Sequence, residues 1–201
     1  MGKMNLLKAK YDGKVGQTVG SKWKNQATLR TYSKPSNPNT EAQQTVRNAF
    51  ASITSFVALF ADQIKYSNAL DTSGMSVRNA IIKLNKDKMN GGAIDFSTLV
   101  ISKGGLQKPI NAVLANDSGT PKFTWGAPTA TNFTAEAKAI AVFVDQEDQI
   151  VDVVEVAVDT LEAEASVSFG TNSNVYGFLY FLDKRGSNKI ASLSVASKVT
   201  A

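Results

Sequence analysis

The sequence predicts an α+β chain, with an N-terminal β-hairpin and a two-helix region over residues 1–103 and a C-terminal β-sandwich over residues 104–201. Three observations carry that expectation. After Thr40, apolar residues recur every third or fourth position, the period of a helix face. The back half breaks into short β-like segments at roughly 8–12-residue spacing, the signature of a sandwich or barrel. Charge also changes sign along the chain: residues 1–107 hold 15 Lys+Arg against 6 Asp+Glu, a net of +9, and residues 108–201 hold 7 against 11, a net of −4. Such asymmetry points to an interaction role and supports a boundary near Gly104–Lys108.

Gly13, Gly16 and Gly20 punctuate YDGKVGQTVGSKW, and β-formers alternate in ATLRTY, which together predict the hairpin. KPSNPNT follows, a loop in which Pro35 and Pro38 cannot continue a strand ladder. Thr40 and Gln43 then read as a capping box: the hydroxyl accepts the Gln43 amide, and the Gln43 side chain reaches back. Glu41 suits the positive end of the helix dipole. Ala42, Val46, Ala49, Phe50, Ile53, Val57, Phe60 and Ile64 form one stripe, widened by Phe56, on a helix ending near Tyr66–Asn68.

A second helix starts near Ser73–Ser76 and carries Val77, Ala80, Ile81 and Leu84. Lys83, Lys86 and Lys88 lie towards its end, where cations are favoured, and Asn90-Gly91-Gly92 stops it. AIDFSTLVIS reads as a strand with a bulge, because the Ile94/Phe96 alternation is out of step with Leu99/Ile101. In the back half the expected strands are Lys122–Trp125, Lys138–Asp145, Ile150–Val158, Ala163–Phe169, Val175–Asp183 and Lys189–Val199. The last two flank DKRGSN as a hairpin.

Composition narrows the chemistry. The chain has no Cys and no His, which excludes disulfides, thiolate nucleophiles, the common zinc sites and any Ser-His-Asp arrangement. Carboxylate-only, Ser-Lys and carboxylate–magnesium chemistry survive that filter. GKVGQTVGSK does not fit the phosphate-loop pattern, and DQEDQIVDVVEV lacks the central Gly and final Glu of a calcium loop. The acidic positions Asp145, Glu147, Asp148, Asp152, Glu155, Asp159, Glu162 and Glu164 read instead as a solvated or partner-facing sheet surface. The expectation is a protein that is not an enzyme, with no catalytic, cofactor or metal residues.

Contact residues are the remaining candidates. Lys14, Lys22, Trp23, Lys24, Arg30 and Lys34 make the hairpin basic, so it can grip phosphates while Trp23 stacks on a base. The same residues equally suit a solvated face, or contact with an acidic neighbouring subunit; Lys22 and Lys24 alternate with Trp23, so in a strand both lysines face away from it. Arg47, about two turns after Thr40, either braces the KPSNPNT loop or meets a partner's carboxylate.

Two resemblances add to these readings. PKFTWGAPTA looks like the second strand of a fibronectin type III domain, with Trp125 as its buried Trp and Pro128 in the turn after it. Tyr176 in NVYGFLYFLDKRGSNK takes the place of that family's sixth-strand tyrosine corner, so the resemblance implies an Ig-like sandwich over about Gly104–Ala201 and no chemistry. The front half is similar to an uncharacterised family of Bacteroidetes-type genomes, phages and prophages, in which a Gly-rich hairpin leads into KPSNPNT-x-AQQ-x-x-R. Gly13, Gly16, Gly20, Trp23, Arg30, Pro35, Pro38, Thr40, Gln43, Arg47 and Phe50 match it. What this implies is a structural virion protein of a tailed phage or prophage, made in the host cytoplasm, with itself and other virion proteins as partners. A nucleic-acid-binding module built on the basic hairpin and an Ig-like adhesion module are the alternatives. No apolar run in the sequence reaches bilayer-spanning length, so no membrane insertion is expected.

Overall fold

A computed structural model of the chain describes residues 13–23, 26–34, 36–65, 70, 72, 74–89, 93–117, 119–129, 133–170, 174–185 and 188–200. The chain divides into two units, Met1–Thr40 and Glu41–Ala201. In the first, the expected hairpin gains a third strand. β1 (Gly13–Val15), β2 (Thr18–Trp23) and β3 (Gln26–Thr31) form an antiparallel meander in that order. Gly16 has φ +58° in the two-residue turn between Val15 and Thr18, where a positive φ matches the strand twist and glycine adopts it without strain.

The second unit begins with α1 (Glu41–Ile64), which starts directly after Thr40, where the capping pattern puts it. α2 (Val77–Leu84) follows; its N-cap Ser76 accepts the Asn79 amide at 3.3 Å. Among the described residues, eight strands complete the unit. They are β4 (Ile110–Asp117), β5 (Thr120–Gly126), β6 (Lys138–Asp145), β7 (Val151–Ala157), β8 (Glu162–Glu164), β9 (Asn174–Arg185), β10 (Asn188–Ala191) and β11 (Val195–Thr200). One sheet has the order β4-β5-β8, and the other runs β10-β9-β6-β7, with β11 also pairing β9. The pairings among these strands are antiparallel, and an isolated bridge between Leu106 and Ser192 is parallel. The unit is α+β, with a sandwich-like pair of sheets.

The β9–β6 sheet is buried on both faces, which is why AIAVFVD in β6 is one unbroken apolar run closed by Asp145. On one face, Ile140, Val142, Val144, Phe178, Tyr180 and Leu182 pack with the helical stripe Ile53, Phe56, Val57, Phe60 and Ile64. On the other, Ala139, Ala141, Phe143, Leu179 and Phe181 meet Phe123 and Trp125 from the second sheet. Gly177 is the tight point between the sheets: a Cβ there would lie 2.6 Å from the Phe123 ring and 2.8 Å from Leu114.

This layering corrects the boundary expected at 103/104. Both helices, together with Leu99 and Ile101, share one core with the sheet of the C-terminal half, so the chain divides at Thr40/Glu41. The strand expected at AIDFSTLVIS is also replaced. Asp95 accepts the Ser97 amide at 2.9 Å and its hydroxyl at 2.6 Å, which turns Phe96–Thr98 into a 3₁₀ turn. The turn stacks Phe96 on Phe56, ring centroids 4.2 Å apart. Leu99 to Ser102 then runs without a ladder: Asn85 and Ser194 side chains take the backbone bonds of Val100 and the amide of Ile101, and the Ser102 carbonyl meets a backbone amide, that of Ser194. The Ile101 amide donates to Ser194 Oγ at 2.9 Å, and the Ser102 hydroxyl donates to the Ser192 carbonyl at 3.0 Å. The expected stop at Asn90-Gly91-Gly92 lies outside the described residues; α2 ends at Leu84 with Asn85 as its C-cap, and a 3₁₀ turn at Lys86–Met89 follows.

Candidate interaction surfaces

The meander register decides which basic residues meet. Lys14 pairs with Val19 and Val19 with Arg30, so the three form one cross-strand row and share a face. Tyr32 lies two positions beyond Arg30, on the same side, and the Lys14 ammonium sits 3.6 Å from its ring centroid. At an exposed site such a cation–π contact contributes about 0.5–1 kcal/mol. Lys14, Arg30, Tyr32 and Lys34 are all exposed. Lys22 stands opposite Ala27 and Trp23 opposite Gln26 in the ladder; their side chains, and the whole of Lys24, lie outside the described residues. Two cations on one face, one of them over an aromatic ring, suit an anion. Arg47 is exposed on the second turn of α1.

α1 also carries apolar surface that its own sheet does not cover. Residues 41–48 are all exposed, and Ala49 is the first buried position. Val46 and Phe50, four residues apart on one side of the helix, are 54% and 50% exposed. Of the stripe read from the sequence as one continuous face, only Ala49 and the positions from Ile53 onward are therefore buried. EAQQTVRN, with only Ala and Val apolar among its eight residues, is the signal that separates the two parts.

The acidic positions are dispersed among structural tasks. Asp152 accepts the Ser166 hydroxyl at 2.9 Å, Glu155 pairs with Lys138 at 3.2 Å, and Glu162 pairs with Lys122 at 2.7 Å. Asp145 is buried and accepts the amides of Glu147 at 2.8 Å and Asp148 at 3.3 Å, closing the β6–β7 turn. Among the described residues, no three carboxylates gather closely enough to hold a metal ion.

Trp125 is 5% exposed, donates its indole N–H to the Val158 carbonyl at 3.0 Å and meets the Phe181 ring edge-on. Tyr176, for which the resemblance implied a corner role, turns its ring to the helical layer. It lies edge-on to Phe56 at 5.4 Å and to Phe96 at 5.7 Å, so it ties α1 to β9.

The sequence model of the Family of unknown function (DUF6266) matches residues 9–195, and the chain belongs to that family. The match runs through both units, from ahead of the meander into β11. No curated protein matches the chain.

Proposed function

We propose that this chain is a non-enzymatic structural protein of a tailed phage or prophage particle, a capsid-associated, neck or tail component that works through protein–protein assembly. One observation carries the assembly reading: α1 extends eight residues ahead of its first buried position and holds Val46 and Phe50 in solvent. Isolated helical turns are marginal in water, so such an extension is best stabilised by a covering surface. Burying a side chain of this size contributes about 1.5–3 kcal/mol, and repetition on a particle multiplies weak contacts.

Within this reading the sandwich is fibronectin type III-like and serves as a spacer or link. Counted from β4, Trp125 falls in the second strand and Tyr176 in the sixth, where the resemblance asks for them. The sheet order of first-second-fifth strands against fourth-third-sixth supports the same assignment. Mass spectrometry of purified particles from a producing host tests the proposal. The protein is expected in stoichiometric amounts with the particle; its absence from intact particles removes the virion role.

Lys14 and Arg30 sharing one face with Tyr32 favour a second reading, contact with nucleic acid through the meander. Salt-sensitive DNA retention that is lost in Lys14→Glu/Arg30→Glu is its signature; no retention at low salt eliminates it.

A further inference from the structure

Between α2, the 3₁₀ turn after it and the extended segment at residue 103 lies a cleft of about 460 Å³. Its apolar floor includes Ala80 and Leu84, and Lys83, Lys86 and Lys103 stand around it with Asp87 as the one lining carboxylate. All three lysines are exposed, and none forms an ion pair among the described residues. Three unpaired ammonium groups around one cavity repel each other and favour an anionic occupant. Lys88, nearby in sequence, is already engaged, donating to the Thr98 carbonyl.

The same unit carries a counterpart. The turn between β6 and β7 is fixed by the two amide bonds to Asp145 and by Gln149 at φ +56°, and it holds Glu147 and Asp148 exposed at its tip. Glu147 makes one long contact, accepting from the Asn174 amide at 3.4 Å. Lys103 of the cleft and the acidic turn lie toward opposite edges of the β9–β6 sheet. The Ser102 carbonyl accepts the Ser194 amide at 3.1 Å, so Lys103 follows a segment held beside the β10–β11 edge, whereas β7 forms the other edge. With strands spaced about 4.8 Å apart, roughly 14 Å of sheet separates the two edges, so joining turn to cleft takes two molecules.

We infer that the Lys83/Lys86/Lys103 cleft receives the Glu147–Asp148 turn of a second copy of this chain, in a head-to-tail contact. The inference rests on the assembly reading above and gives it a direction. A contact between two different patches is heterologous, so it closes into a ring or extends as a filament, both suited to a repeating particle.

Sedimentation of the full chain at low and raised salt tests it. The wild type associates, and added salt weakens the association. Lys83→Glu/Lys86→Glu/Lys103→Glu and Glu147→Lys/Asp148→Lys each weaken association about tenfold or more, since each brings like charges together. Mixing the two variants restores association by pairing the reversed charges. Undiminished association in both variants, or no restoration on mixing, overturns this contact while leaving assembly through another surface intact. A wild type that stays monomeric at every concentration removes both readings. A DNA fragment that binds the wild type but not the lysine variant, with self-association unchanged, reassigns the cleft to phosphate and overturns the inference.

Discussion

Asn85 and Val100 hold each other in both directions: the Asn85 side-chain amide donates to the Val100 carbonyl at 2.7 Å, and the Val100 amide donates back to Asn85 Oδ1 at 2.9 Å. The same amide group donates to the Ile81 carbonyl at 2.9 Å, capping α2. One buried side chain therefore ends a helix and serves as the pairing partner of an extended segment. Asn85→Ala is expected to cost about 2–4 kcal/mol, because the Val100 amide and carbonyl lose their partners in a part-buried place. Urea unfolding measures this; a loss under about 0.5 kcal/mol would show that water replaces the side chain.

Gly104 and Gly105 separate a linker from a packed crossing. A Cβ on Gly104 would stand 2.0 Å from the Ala191 carbonyl oxygen, which is backbone, while one on Gly105 meets nothing within 4 Å. Gly104→Ala is expected to destabilise by about 2 kcal/mol or more, and Gly105→Ala to stay within about 0.5 kcal/mol of wild type. Equal, small effects at both positions in thermal unfolding would restore the boundary at 103/104.

Particular residues show what the sequence made legible. β6 spans Lys138–Asp145 as expected, because an apolar run that long must be covered on both faces, and the DKRGSN hairpin reappears as β9 paired with β10. β4 was missed. Its register shifts between Ile110 and Val113, with Asn111 at φ +49°, so the alternation that marks a strand is broken where it would be read. Residues 99–101 alternate like a strand but bond to Asn85 and Ser194, a distinction that only tertiary structure makes. For the candidate surfaces, the basic hairpin was legible in composition. The Lys14–Arg30 row needed the strand register, and the cleft needed Lys103 brought to α2 by folding.

Asp95 gives the 3₁₀ turn a pH signature. The Ser97 hydroxyl, then the Ser97 amide, hold its carboxyl below the usual carboxylate range, with smaller help from Lys198 and Lys88. A depressed folded-state pKa contributes stability that is present above the unfolded value and lost as pH falls through the folded one, here below about pH 4. An NMR titration should find the Asp95 midpoint under the ordinary value and Ser97→Ala should raise it. An unchanged midpoint in that variant would detach the turn from its proposed cause.

Val46 and Phe50 separate folding from assembly. Both are about half exposed and lie at or beside the end of α1 that the sheet leaves uncovered, so neither belongs to the buried core that holds the unit together. Val46→Asp/Phe50→Asp is therefore expected to change folding stability by no more than about 0.5 kcal/mol, the usual range for surface substitutions. If the extension is an assembly surface, the same pair of changes should weaken self-association or incorporation into particles by about tenfold or more, since truncating or charging a buried apolar anchor removes its contact area and adds desolvation. Melting and light scattering on one sample read the two effects separately. A large drop in melting temperature would assign both residues to the fold, and unchanged association with an unchanged fold would leave the extension without the role proposed for it.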